Sequence, residues 1–273
     1  MPNTYITTYR RVSRTISSAF SCHGMKAVIV ALGTSVAAGT LRAAPYVPTT
    51  HVAQHAVASA ATHIVESDSI KRAGASRVAP GGLDAGLEHE KITYWVKQFS
   101  KFRAGFERSL GRMSKYADMI TAKLEAKQAP RDLIYLAMIE SDFNPTAQSP
   151  VKAVGLWQFM SATAKRFGLT VGPKVDERKD PARATDAAVT YLSKLHDRFG
   201  SWYLAAAAYN SGEGTVLRAL KRVMGKTTGT DADFFKILPA LPRETQDYVP
   251  KLIAAARVGN APHEYGLSPR DSN

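Results

Sequence analysis

APRDLIYLAMIESDFNPTAQSPVKAVGLWQFM, residues 129–160, holds the acid on which the reading of this chain turns. Leu133-Ile134-Tyr135-Leu136-Ala137-Met138-Ile139 is an unbroken apolar and aromatic run, and Glu140 follows it directly. As a helix, the run places Glu140 on one face with Leu133, Leu136 and Ala137, at i−7, i−4 and i−3. That face should turn to the core, where an acidic side chain is rarely found without a partner. Desolvation there would raise its pKa and let it hold a proton near neutral pH. A general acid for glycosidic-bond cleavage has this requirement. An acid at the end of an apolar helix also fits a solvated or ion-paired group, and the helix alone leaves both readings open.

The surrounding composition narrows the class. The chain has 273 residues, 45% of them hydrophobic and 22% charged, enough for one sizeable domain with appendages. Its net charge of +13 is uneven: residues 1–43 carry Arg10, Arg11, Arg14, Lys26 and Arg42 and no acid. The remainder keeps 31 basic against 23 acidic residues, a net +8. Such a surface favours polyanionic partners. No zinc-ligand spacing, RNA-binding aromatic signature or long basic run is present, which argues against nucleic acid. Ala27-Val28-Ile29-Val30-Ala31-Leu32 opens an apolar stretch to about Leu41, behind basic residues and ahead of small ones. This layout predicts a secretory signal peptide over residues 1–44, with an uncleaved N-terminal anchor as the alternative. Cys22, the single cysteine, lies ahead of the apolar stretch, so the exported remainder would have none.

Residues 45–88 are rich in Ala, His, Ser, Val and Gly, lack periodicity and carry Pro80-Gly81-Gly82, the pattern of a flexible linker. His51, His55 and His63 fall there without a metal-binding spacing. From residue 89 helical spacing dominates. Ile92, Trp95, Val96, Phe99, Phe102 and Phe106 form one stripe; Met113, Tyr116, Met119, Ile120 and Leu124 form another. A helix is expected over 156–167. A second follows an Asp180 N-cap with Pro181 at its first turn, and Gly200 should end it. Ser201 should cap a third over 202–209, and a fourth covers 215–223. A last helix over 245–258 should break or kink at Pro250. Val171–Lys179 reads as a loop, with a small hairpin as the alternative. The expected class is all-α, with a catalytic domain over residues 89–262 and a tail over 263–273.

Four separated stretches carry the functional signal: Glu140-Ser141 with Asn144-Pro145 and Ser149; GLWQFM from Gly155; AYNSGEG from Ala208; and Glu244-Thr245 with Tyr248-Val249. Together with DERKDP, YLSKL and FGSWYLAAAAYN, they resemble the soluble-lytic-transglycosylase catalytic domain, a lysozyme-like fold of goose type. The similarity is strongest to the D-type lytic murein transglycosylases. That resemblance implies Glu140 as the single catalytic acid and base, and Ser149, Gln158, Met160, Tyr209, Asn210, Glu244 and Tyr248 as substrate-binding or cleft-bordering residues. It implies peptidoglycan glycan strands as partner, no cofactor and no metal. It further implies export to the periplasm or cell envelope, with inner- or outer-membrane association. Two positions depart from the family pattern: Ser211 stands where alanine is frequent, and Lys152 where glycine is frequent. Lys152 would alter the turn of its loop or add a cationic contact to the glycan.

Ordinary glycosidases set two carboxyl groups across the bond. No second acid is evidently paired with Glu140, and Asp142, two residues on, would point elsewhere on a helix. The missing partner is informative if the substrate supplies its own nucleophile, and the resemblance then implies non-hydrolytic chemistry: Glu140 protonates the MurNAc–GlcNAc oxygen and then deprotonates the muramic 6-hydroxyl, closing a 1,6-anhydro ring. A water-using muramidase on the same scaffold and a non-catalytic wall-binding module are the two rivals.

Overall fold

Helix caps written into the sequence set the frame of the computed structural model, which describes residues 82, 83 and 86–268. The expected signal peptide, most of the linker with its three histidines, Cys22 and the last residues of the tail lie outside the described residues. Ten α-helices follow one another: α1 (Glu90–Lys101), α2 (Arg103–Met113), α3 (Ala117–Glu125), α4 (Ile134–Ser141), α5 (Ser161–Arg166), α6 (Pro181–Phe199), α7 (Trp202–Ser211), α8 (Glu213–Met224), α9 (Asp231–Ile237) and α10 (Arg243–Asn260). Among the described residues β-pairing is limited to isolated bridges, Gln148 with Val154, Val154 with Phe159 and Val171 with Asp176. The all-α class stands. No helix among them is long and apolar enough to cross a membrane.

The Asp180 carboxylate accepts from the amides of Ala182 and Arg183, and Gly200 closes α6 in the left-handed region at φ 74°. The Ser201 hydroxyl accepts from Leu204 N–H and starts α7. Each cap satisfies backbone groups that a helix end leaves open, worth about 1 kcal/mol. Other expectations shift. The first aromatic stripe is divided at Phe102, whose φ −102°, ψ 40° breaks it into α1 and α2. The helix expected over 156–167 exists only as α5, because Gly155 and Gln158 both have positive φ and turn the chain first. The helix α9 was not foreseen; a Thr230–Asp233 capping box starts it. Pro250 sits inside a continuous α10 and does not end it.

The described residues form one compact unit. Its centre is built from α4, α7 and α10. Leu136, Ala137, Ala205 to Ala208 and Ile253 to Ala256 are all fully buried. The alanine runs let these helices approach closely where larger side chains would hold them apart. Only Ile139 of α4 is half-buried, so the helix is enclosed almost all round instead of presenting one stripe. Leu83, at 4% exposure, is buried in the same core: its N–H donates to Asp132 Oδ2 (2.8 Å) and its carbonyl accepts from Tyr203 O–H (2.5 Å).

Candidate active site

The carboxyl of Glu140 is held at the last turn of α4, 6% exposed. Tyr248, from α10 and 108 residues away in sequence, donates its hydroxyl to Glu140 Oε1 at 2.7 Å. Burial, and then the nearby Glu140, push the Tyr248 phenol well above its ordinary range. The same two causes raise Tyr209, whose hydroxyl donates to the Trp157 carbonyl at 2.8 Å. Both phenols therefore stay protonated, as hydrogen-bond donors, at any working pH.

Beside them, Asn210 accepts at Oδ1 from the Thr245 hydroxyl (2.8 Å) and donates through Nδ2 to Glu244 Oε1 (2.9 Å). The Thr245 bond fixes which end of the amide faces outward. Glu244 itself lies exposed in the first turn of α10. Thus α4, α7 and α10 bring Glu140, Tyr209, Asn210, Glu244 and Tyr248 into two linked clusters. Met160 is half-buried at the start of α5.

Ser149 and Gln158 serve the loop between them. The Ser149 hydroxyl accepts from Ala153 N–H at 3.0 Å. Gln158, 3% exposed, donates Nε2 to the carbonyls of Gly155 (3.0 Å) and Ala147 (3.3 Å). Trp157 is a core anchor, fully buried with its indole N–H on the Thr185 hydroxyl at 3.0 Å. Phe159, 2% exposed, meets Tyr209 edge-on at 6.2 Å between ring centroids.

Backbone strain collects along this segment. Of five non-glycine residues with positive φ among the described residues, four are Asp142, Phe143, Lys152 and Gln158. Each such residue costs about 1–3 kcal/mol and persists only where the surroundings hold it. Lys152 sits at φ 62°, a conformation that glycine takes freely. Gly155, at φ 87°, has a further constraint: a Cβ there would lie 1.8 Å from the Arg178 carbonyl oxygen.

Two arginines that the motif reading passed over hold the segment in place. Arg178, 7% exposed, donates Nη1 to the carbonyls of Lys152 and Phe159, both at 3.0 Å. Its Nε and Nη2 bind the two carboxylate oxygens of Asp176 at 2.8 Å each. That bidentate bond is the main cause holding the Asp176 carboxyl below the usual range. The Asp176-x-Arg178 spacing within DERKDP was the available signal. Arg112 gives no such sequence signal; it pairs with Asp142 and donates Nε to the Asp142 carbonyl at 2.7 Å. A cavity of about 310 Å³ lies beside this turn, walled by Arg112, Lys115, Tyr116 and residues 141–145. Glu140 is not on its wall, so the cavity flanks the acid instead of containing it. Among the described residues no cluster of His, Cys, Asp and Glu could hold a metal ion.

Comparison with known proteins agrees with the motifs. Residues 118–231 match the model of the family described as Transglycosylase SLT domain. Glu140 and Tyr209 fall inside that range, Tyr248 outside it. Membrane-bound lytic murein transglycosylase D of Escherichia coli strain K12 is 32% identical over 181 residues, 66% of this chain and 39% of that protein. A putative tributyltin chloride resistance protein of Alteromonas sp. strain M-1 is 42% identical over 116 residues, 42% of this chain and 56% of that one. The crystal structure of the 70 kDa soluble lytic transglycosylase of Escherichia coli aligns with TM-score 0.46 and 25% identity, covering 58% of this chain and 26% of that one. The chain thus spans about two fifths to just over half the length of these two sequence relatives. The resemblance read from the motifs is the one these comparisons return.

Proposed function

We propose that this chain is a peptidoglycan lytic transglycosylase in which Glu140 acts alone, first as acid and then as base. The observation that carries this reading is the dry Glu140 carboxyl meeting the Tyr248 hydroxyl. Burial disfavours the charged carboxylate, whereas the phenol O–H stabilises it. The two effects oppose each other, which suits a group that must both release and regain a proton. In the first step Glu140 gives its proton to the glycosidic oxygen between MurNAc and GlcNAc, the bond from that oxygen to C1 breaks, GlcNAc leaves with a free 4-hydroxyl, and the muramic acetamido oxygen supports the positive centre at C1. In the second, the carboxylate removes the proton of the muramic 6-hydroxyl as O6 bonds to C1. Glu140 ends protonated, the strand ends in 1,6-anhydro-MurNAc, and no water is consumed.

The matched family and the names of the relatives support peptidoglycan as substrate. The "membrane-bound" in one of those names supports a cell-envelope location. We place the signal segment at residues 1–44 and a tether after it, and begin the catalytic domain, expected over 89–262, at Leu83, which is packed in its core. The hydrolytic rival has one observation in its favour: Glu244 is a second carboxylate, one turn ahead of Tyr248 on α10 and bonded to Asn210 of α7. Mass spectrometry of muropeptides separates the readings, since the anhydro product is one water lighter. Glu140→Gln should lower release by at least about 10³-fold. Glu244→Gln should keep most of the rate and the same anhydro product. Hydrolytic product from the parent protein, or full activity in Glu140→Gln, would defeat the proposal.

A further inference from the structure

We infer that Arg112 is a positioning residue for Glu140, holding the turn behind the acid in a left-handed form that the chain would otherwise leave. This rests on the role proposed above for Glu140. The helix carrying the acid ends at Ser141, and the next two residues, Asp142 and Phe143, have φ 57° and 56°. A glycine would take this conformation freely; an aspartate followed by a phenylalanine does not.

Phe143 is locked by burial at 1% exposure, and its N–H reaches the Ala137 carbonyl at 3.4 Å. Asp142 donates its N–H to the Met138 carbonyl (2.9 Å), and Arg112 of α2 grips the turn from its other side. Arg112 donates Nε to the Asp142 carbonyl at 2.7 Å and Nη2 to Asp142 Oδ2. The other carboxylate oxygen, Oδ1, is buried and has no hydrogen-bond partner. The charge of Asp142 is therefore answered by the same guanidinium that grips its backbone.

Without Arg112 three things fail together. The carbonyl of Asp142 loses a donor, its carboxylate keeps a buried oxygen with no counter-charge, and the left-handed turn loses its outer support. Relaxation of the turn, which starts two positions after Glu140, swings the last residues of α4, Glu140 among them. A guanidinium suits this task because its planar fork presents Nε to the carbonyl and Nη2 to the carboxylate in fixed geometry, where an ammonium offers a single point charge with rotatable donors.

The test uses the full chain with Arg112→Ala, Arg112→Lys and the double variant Arg112→Ala/Asp142→Gly. Arg112→Ala should lower kcat by about 10- to 100-fold with KM within about twofold, the sign of a lost geometry and not of lost binding. Arg112→Lys should fall between it and the parent. Adding Asp142→Gly should return kcat by about tenfold, since glycine accepts the turn and removes the stranded carboxylate. Amide hydrogen exchange gives a second readout that needs no activity. Exchange at Asp142 and Phe143 should quicken by about tenfold or more in Arg112→Ala and slow again in the double variant, with Ala205 to Ala208 unchanged. Should Arg112→Ala unfold the chain, Arg112→Lys must show the same local pattern at smaller size. A raised KM with kcat kept would make Arg112 a substrate contact and overturn the inference. So would a double variant that recovers nothing, or unaltered exchange at residues 142 and 143. If the parent cleaves no glycan, the function fails while exchange still judges the role of Arg112.

Discussion

Glu140 and Tyr248 meet through a single hydrogen bond, so the hydroxyl can be removed with little change of shape. A bond to an ionised group in a dry place is worth about 1.5–3 kcal/mol. It is strongest when Glu140 is a carboxylate, the state that the proposed mechanism passes through between its two proton transfers. Tyr248→Phe should therefore lower kcat by about 10- to 100-fold and leave the melting temperature within a few degrees, checked by muropeptide release and thermal unfolding. Lys152 offers a contrasting single-residue test. Its left-handed backbone costs about 1–2 kcal/mol as lysine, against about 0.5–1 kcal/mol of chain entropy that glycine would lose on folding. Lys152→Gly should be neutral or more stable by up to about 1 kcal/mol in denaturant unfolding.

The loop from Ser149 to Phe159 behaves as an element although it is not a helix or strand. Arg178 ties two of its carbonyls to Asp176, and the carbonyl of Arg178 in turn lies against Gly155. Breaking this mostly buried ion pair by Arg178→Ala should cost about 3–5 kcal/mol, measurable by urea unfolding. Its pH dependence follows from Asp176, whose carboxyl is held low mainly by the Arg178 hydrogen bond. A depressed folded pKa adds stability above the unfolded value near 4, and that stability is lost as pH falls through the lower folded value. Asp176→Asn should thus be less stable than the parent from pH 7 to about 5, with the gap closing below about pH 4. Elements ruled by neighbours in sequence were legible beforehand: Asp180, Gly200 and Ser201 cap helices by local geometry. The misread helix at 156–160 had the right composition, but Gln158 takes a positive φ and its amide bonds the Ala147 and Gly155 carbonyls, contacts that composition does not show. At seven residues, α9 is too short to show periodicity. The partners of the acid were legible only through family motifs, since no local pattern ties Glu140 to Tyr248. Arg112 belongs to no motif and emerged from the structure alone.

Across the whole chain, the excess of basic over acidic residues should make wall binding salt-sensitive. Affinity for isolated peptidoglycan sacculi should fall steadily from low to high ionic strength, and a flat response would contradict it. The described unit also reaches further back than helical spacing suggests, because Leu83 is packed among Asp132 and Tyr203. A version beginning at residue 89 should be less stable by about 3 kcal/mol than one beginning at residue 77, from one buried leucine and its two hydrogen bonds. The attachment of Leu83 has a mechanical side. Asp132 lies in the 3₁₀ turn that leads directly into α4, and it also accepts from Asn260 at 2.9 Å, at the far end of α10. Tension applied through the chain ahead of residue 82 is thus delivered to the foot of the helix bearing the acid. A protein hauled by its leading end would load Asp132 and Tyr203 before its helices unravelled.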